Sequence, residues 1–263
     1  MTPSKEKHLD LLERNLALRG MISHQFAEKL LKVSPATVRR LFREMAESRR
    51  AIRFHGGIRT WDDGRAGMIA IPQREASQSE EKELLACRAA LEFDRKNLNM
   101  IHGGTTTRKA ARYLEAGTYL MDSVLIAAEL SRMYPGGGGP EVILTAGQLD
   151  ITAGFLYGPK AEEIIRSYCG DVFLTSVRGF DRDGLLETDD RAVGVIRAMM
   201  DSSRRTVVIA DHRKFGRRGI CRLCNWDRVD LLITVETPEN SEALRQLKKS
   251  GVNLEAIPLN KTQ

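Results

Sequence analysis

Two short stretches of this 263-residue chain carry chemistry in their spacing. In "VSPATVRRLFREM" (33–45), Ser34 and Pro35 open a helix that presents Ala36 and Thr37 at its front, then Arg39, Arg40 and Arg43. Small side chains let a helix N-terminus approach base edges, while arginines reach phosphate oxygens or guanine. In "GGTTTRKAARYL" (103–114), Gly103 and Gly104 permit close backbone approach and Thr105, Thr106 and Thr107 supply three hydroxyls. A helix starts there, and its unpaired N–H groups and dipole favour an anion. "DHRKFG" (211–216) adds Lys214 as a point charge for the same anion.

The surrounding periodicity says which elements position these groups. Leu9, Leu11, Leu12, Leu16 and Leu18 predict a first helix over 4–18, ended by Gly20. Ser23 caps a second, short helix with Phe26, Ala27, Leu30 and Leu31 inward. Lys32-Val33-Ser34 is a tight turn, Ser34 is an N-cap, and Pro35 suits the first helical position because its missing N–H costs nothing there. Val38, Leu41, Phe42 and Met45 then form one apolar stripe, with Ala36, Arg39, Arg40 and Arg43 on the other side. Two helices across a three-residue turn describe a helix-turn-helix. "RRAIRFHGGIRT" (49–60) alternates Ala51, Arg53 and His55 with Ile52 and Phe54 and turns at Gly56-Gly57, a hairpin that predicts a basic wing.

Residues 61–76 lack periodicity and read as a linker between a domain over 1–60 and a second over 77–263. In the second, Ser77 and Glu80 have capping-box spacing for a helix to about Phe93. Apolar strands are predicted at 97–102, 118–121, 141–146, 171–176, 206–210, 230–235 and 252–257. Helices fall near 106–115, 123–132, 159–168, 190–202 and 239–250. Such alternation gives a mostly parallel sheet covered by helices, and "PGGGGP" (135–140) is a loop. In these α/β folds ligands bind beyond the carboxyl ends of strands, where both "GGTTT" and "DHRKFG" sit.

Charge divides the chain the same way. Residues 1–60 hold 13 Lys and Arg against 6 Asp and Glu, whereas 61–263 hold 28 against 29. A cationic front quarter gains free energy by releasing counterions from a polyanion, so double-stranded DNA is its expected partner. No apolar run approaches the ~18 residues that span a bilayer, so no membrane partner is expected. The start of the chain lacks a signal-peptide stretch, and four cysteines in a chain of this length suit a reducing cytoplasm.

"VSPATVRR" with "RFHGG" resembles the DeoR family of bacterial transcription regulators. Val33, Ser34, Thr37, Val38, Arg39, Arg40, Arg53, His55, Gly56 and Gly57 carry the likeness. Leu41 replaces the usual Asp, extending the apolar stripe, and Arg49 replaces a Gly. Further matches are Gly104-Thr105-Thr106-Thr107, Gly147, Gly158, Gly179, Asp189, Asp211-His212 and Lys214-Phe215-Gly216, so the likeness spans about 5–257.

The resemblance implies a repressor of carbohydrate catabolism whose second domain, similar in fold to sugar-phosphate isomerases, senses a phosphorylated sugar. It implies DNA contacts from Ser34, Ala36, Thr37, Arg39, Arg40, Arg43, Arg53 and His55. The effector site it implies comprises His102, Gly103, Gly104, Thr105, Thr106, Thr107, Asp122, Gly147 and Lys214. Departures gather around that site. His102 replaces Asp, Met121-Asp122 replaces Thr-Asn, Asp150 replaces Arg, and Ala192 and Ile196 replace Glu and Lys. They imply an unusual effector or a weakened response.

A homodimer or homotetramer is expected, since operators need two or more reading heads. No cofactor is expected. Cys221-x-x-Cys224 is half a zinc site without its second half, and packing thiols are the simpler account. Glu187, Asp189 and Asp190 near Asp211-His212 suggest solvated or capping residues before acid–base catalysis. Met199-Met200 reads as core. The alternative function is a sugar-phosphate isomerase or deaminase with an appended basic domain.

Overall fold

A computed structural model describes residues 3–19, 21–48, 50–54, 56–60 and 79–259. The chain divides into two compact units, Met1–Ser77 and Gln78–Gln263. His55, Gly20, Arg49, the 61–76 linker and Ser77 lie outside the described residues.

In the first unit, helix α1 (Pro3–Arg19) leads into strand β1 (Met21–Ser23), α2 (His24–Leu31), α3 (Pro35–Glu47) and a hairpin of β2 (Ala51–Phe54) and β3 (Gly57–Thr60). The Ser23 hydroxyl accepts from the Phe26 N–H (3.2 Å) and the Ser34 hydroxyl from the Thr37 N–H (3.3 Å), so each helix starts at the serine expected to cap it. Between them Lys32 closes α2 in the left-handed region at φ 52°.

Val38, Leu41, Phe42 and Met45 are all buried against Leu9, Leu12 and Leu16. Leu41 is 1% exposed, which accounts for an apolar residue there. Two expectations need correcting. Leu11 is exposed, because it falls on the opposite face of α1 from Leu9 and Leu12. The first wing strand does not keep strict alternation, since Ala51 is buried while Arg53 is exposed.

The unit also has a strand the sequence did not reveal. β1 pairs antiparallel with β3 and completes a sheet in the order β1-β3-β2. A three-residue strand carries no periodicity, so only its partner makes it visible. A Cβ on Gly57 would collide with the Ile22 carbonyl, so the wing rests directly on β1.

The second unit begins with α4 (Ser79–Ala90), shorter than the helix to Phe93 that its sequence suggests. Seven parallel strands follow: β4 (Leu98–Ile101), β5 (Thr118–Met121), β6 (Glu141–Leu144), β9 (Gly170–Ser176), β12 (Ser203–Ala210), β14 (Leu231–Glu236) and β15 (Leu254–Pro258). Their order across the sheet is β15-β14-β12-β9-β4-β5-β6. Every predicted strand is present.

Between them lie α5 (Thr105–Ala110), α6 (Val124–Met133), α7 (Pro159–Arg166), α8 (Asp190–Asp201) and α9 (Ser241–Lys249). Alternate strand residues feed two cores, as a sheet covered on both faces requires. Leu174, Val207 and Ile233 pack with Leu85 and Ala89 of α4, whereas Phe173, Val208 and Leu232 pack with Ile165 of α7 and Met199 of α8. Two antiparallel additions escaped the sequence pattern: a β7 (Gln148–Asp150) to β8 (Phe155–Tyr157) hairpin, and a sheet of β10 (Gly179–Asp181), β11 (Gly184–Glu187) and β13 (Cys221–Asn225).

The strand order decides where a ligand can enter. From β4 the chain moves outward to β5 and β6, then returns across β4 to β9 and continues outward through β12, β14 and β15 on the other side. Crossovers that diverge from neighbouring strands leave a crevice between β4 and β9 at their carboxyl ends. Residues 102–107 follow β4 there.

Candidate nucleic-acid interface and effector site

On α3, Ser34, Ala36, Arg39, Arg40 and Arg43 are exposed and Thr37 is half-buried. Ser34 and Thr37 also join their hydroxyls at 3.0 Å, so the helix start is locked by two contacts. Elsewhere in this unit Lys5 meets Glu44 at 2.8 Å and Arg50 meets Glu13 at 2.9 Å. Arg39, Arg40, Arg43 and Arg53 have no such partner among the described residues. The cap and stripe that bury Phe42 therefore hold a row of unneutralised guanidiniums outward, an arrangement that suits phosphate and base-edge contact.

In the second unit, the crevice brings together only part of the expected set. Gly104 caps α5, and a Cβ there would lie 2.6 Å from the Ser176 hydroxyl at the end of β9, so the two strand ends meet at this glycine. Thr105, Thr106 and Thr107 are buried. Thr107 turns inward, its hydroxyl donating to the His102 carbonyl (2.8 Å). Lys214 is half-buried on the 3-10 turn His212–Lys214, directly beyond β12.

His102 and Asp122 form a buried pair, with His102 Nδ1 2.6 Å from one Asp122 carboxylate oxygen. The other oxygen accepts from the Gly103 N–H at 2.8 Å. The carboxylate is 0% exposed and the His102 ring stands edge-on to Phe155 at 5.6 Å. The two departures from the family pattern are thus one unit: the acid moves from position 102 to 122 and the histidine that replaces it becomes its partner. Asp122→Ala leaves the buried His102 ring and the part-buried Gly103 N–H without their partner, a loss worth about 3–5 kcal/mol of stability. Chemical denaturation will read it, and a change below about 1 kcal/mol would show the pair to be dispensable.

Gly147 stands apart from this group. Its φ is +117° and a Cβ would run into the Tyr157 carbonyl, so backbone packing on β8 accounts for the glycine. Arg191, at the start of α8, meets Asp150 (2.8 Å) and Asp189 and lies 4.6 Å above the Tyr157 ring. A cation for Asp150 therefore comes from Arg191. Ala192 and Ile196 are buried in the core, where an apolar side chain fits better than the family's charges.

Glu187 accepts from the Arg178 and Thr188 N–H groups and Asp189 caps α8, so both carboxylates serve the backbone. Burial pushes the Cys224 thiol up to about 11, which disfavours the thiolate a metal would need. No group of three or more metal-ligating side chains occurs among the described residues.

Two residues the sequence reading passed over belong to this neighbourhood. Glu81 of α4 is 5% exposed and holds His212, accepting its backbone N–H (3.3 Å) and pairing with its Nδ1 (2.7 Å). Lys82, beside it, is 3% exposed. In "SEEKELL" both look like ordinary charges of a first helical turn, and only packing shows them buried. Glu83, next along, meets Lys109 of α5 at 2.7 Å and Tyr113 at 2.6 Å. Helix α4 is thus tied both to the helix that opens with the threonines and to the segment bearing Lys214.

An exposed cationic recognition helix with a wing, and an anion-suited crevice in a separate α/β unit, define a ligand-responsive DNA-binding regulator. Comparison with known proteins gives the family. A DeoR-like helix-turn-helix domain matches residues 9–63 and a DeoR C-terminal sensor domain matches residues 77–236. The chain belongs to the DeoR family of transcriptional regulators.

It is 32% identical to the HTH-type transcriptional repressor CsqR of Escherichia coli over 87% of both chains. With the glycerol-3-phosphate regulon repressor of the same organism the identity is 27%, over 95% of this chain and 98% of that one. Among solved structures, ribose 5-phosphate isomerase A from Neisseria gonorrhoeae aligns with a TM-score of 0.39 at 17% identity, over 54% of this chain and 56% of that one. No described helix is long and apolar enough to cross a membrane.

Proposed function

We propose that this chain is a cytoplasmic repressor of a carbohydrate catabolic operon, released from or locked onto its operator by a phosphorylated sugar. The observation that carries the DNA half is the row of Arg39, Arg40 and Arg43 on α3, exposed and without counterions among the described residues. Thr37 and Ala36 approach base edges, and Arg53 and His55 of the wing meet the backbone. A homodimer or homotetramer supplies the paired reading heads.

In the sensor unit, Gly104, Thr105, Thr106 and Lys214 hold the phosphate, and the His102–Asp122 pair with Gly103 fixes the floor beneath it. The names of the relatives support a sugar-linked role: one regulates a glycerol-3-phosphate regulon, and another, 22% identical over 97% of this chain, is a putative aga operon transcriptional repressor from Escherichia coli O157:H7. The effector acts by binding one arrangement of the assembly better than another, and it moves operator affinity by that difference alone.

Thermal melting of the full chain with glucose 6-phosphate, fructose 6-phosphate and glycerol 3-phosphate tests the sensor. At 100-fold excess over Kd, one of them should stabilise by about 2.7 kcal/mol, and Lys214→Ala should remove most of that gain. An unshifted melt with all three, or an undiminished shift in the variant, would remove the phosphate from this crevice.

The buried His–Asp pair favours one rival reading, since it is also how a general base is oriented. Isomerisation of a pentose or hexose phosphate that disappears in His102→Ala would establish the enzyme instead.

A further inference from the structure

Ser176 touches the cradle at Gly104, and the chain continues from it through Val177, Arg178 and Gly179 to Phe180. There it meets the segment beyond Lys214. The Gly216 N–H donates to the Phe180 carbonyl (3.0 Å) and the Phe180 and Phe215 rings pack edge to face at 4.6 Å. A Cβ on Gly179 would lie 2.8 Å from Arg217 Cβ, so Arg217 is seated on this glycine. Only Val177 and Arg178 separate Ser176 from Gly179, a span of at most ~10 Å. Arg178 and Arg217 therefore lie within a sugar's reach of the phosphate cradle, on the two segments that leave β9 and β12.

Arg217 is half-buried and its side chain makes no hydrogen bond or ion pair among the described residues. Burial first, then the nearby Arg178, holds its guanidinium below the ordinary arginine range. Asp211 and Glu187 lie near enough to favour its charge but make their hydrogen bonds elsewhere, Asp211 accepting from the Arg213 N–H and Glu187 from the Arg178 and Thr188 N–H groups. A half-buried guanidinium without a hydrogen-bonded acceptor costs stability, and a ligand that supplies the anion repays that cost.

We infer that Arg178 and Arg217 form a second anion position beside the cradle, so that the effector is a sugar carrying two anionic groups. One is the phosphate of the proposed function, on which this inference rests. The other is a second phosphate or a carboxylate. Guanidinium forks recognise either through paired N–H donors.

Titration calorimetry of the full-length protein at constant ionic strength tests it. The probes are fructose 1,6-bisphosphate and 6-phosphogluconate against fructose 6-phosphate and glucose 6-phosphate. One of the first pair should bind at least about tenfold tighter than its singly phosphorylated counterpart, the worth of one charged hydrogen bond. Arg217→Gln and Arg178→Gln should each erase that preference.

Which of the first pair wins distinguishes phosphate from carboxylate. Equal affinities in the wild type, or variants that keep the preference, overturn the second position while leaving the cradle intact. No binding by any of the four overturns both readings.

Melting without ligand separates binding from structure. Arg217→Gln should leave the transition unchanged or raise it, because the removed charge has no partner among the described residues, and a lowered transition would assign Arg217 a structural role instead. If Arg217→Gln flattens the salt dependence of DNA binding, the arginine serves DNA and the inference fails.

Discussion

Replacing Arg39, Arg40 and Arg43 together by alanine lowers the slope of log affinity against log salt concentration by up to roughly three units, about 0.9 for each phosphate no longer neutralised. Each side chain is exposed and none is committed to a carboxylate among the described residues, so the change weakens the grip on DNA and leaves the fold intact. Alanine also favours the helix, which keeps α3 formed. Operator affinity near physiological salt should fall on the order of 100-fold or more. Single variants should separate the roles: one that meets phosphate weakens all sequences alike, whereas one that meets guanine costs about 1–3 kcal/mol and relaxes the preference at one base pair. The measurement is fluorescence anisotropy with the duplex upstream of the protein's own gene across a salt series. A triple variant with the wild-type slope would take α3 off the DNA.

Phe42→Ala produces the largest stability effect expected in the first unit. Phe42 is 0% exposed, on the stripe that α3 buries, and its ring packs 4.9 Å from His24 of α2. Truncating a buried phenylalanine costs about 3–5 kcal/mol, from the transfer energy of the removed ring and the cavity left behind. A unit as small as Met1–Ser77 has little more than that to lose. DNA binding should vanish because the helix that presents the arginines is no longer held, although all of them remain in the sequence. The second unit keeps its own cores. Differential scanning calorimetry should accordingly lose the transition of the first unit and retain that of the second. A variant that still binds operator DNA with wild-type affinity would mean that Phe42 does not hold the recognition helix.

The contrast between the two units shows what was legible beforehand. Ser34 and Pro35 mark the start of α3, and Val38, Leu41, Phe42 and Met45 mark its buried side. Capping and 3.6-residue periodicity act within one or two turns, so a linear reading recovers them, and the outward placement of the arginines follows. The seven parallel strands were legible for a similar reason: strands buried on both faces are short apolar runs between helical segments. Strand β1 was not, because three residues carry no period and its existence depends on β3.

At the sensor site the residue types were readable and their pairings were not. Nothing local tells His102 that its partner is Asp122, 20 residues on, or tells Glu81 that it will hold His212, 131 residues away. Parallel register and the reversal of strand order between β4 and β9 make those encounters. A local turn sets the Thr107 hydroxyl on the backbone, the β7–β8 hairpin leaves Gly147 against β8, and the pairing of β9 with β12 brings Arg217 near Arg178. The order of residues alone determined the main helices, the seven parallel strands and the uneven distribution of charge, all of which arise from neighbours along the chain. The tertiary structure alone decided which charges are neutralised and which await a partner, because burial and ion pairing depend on segments that only folding brings within a few ångströms of one another.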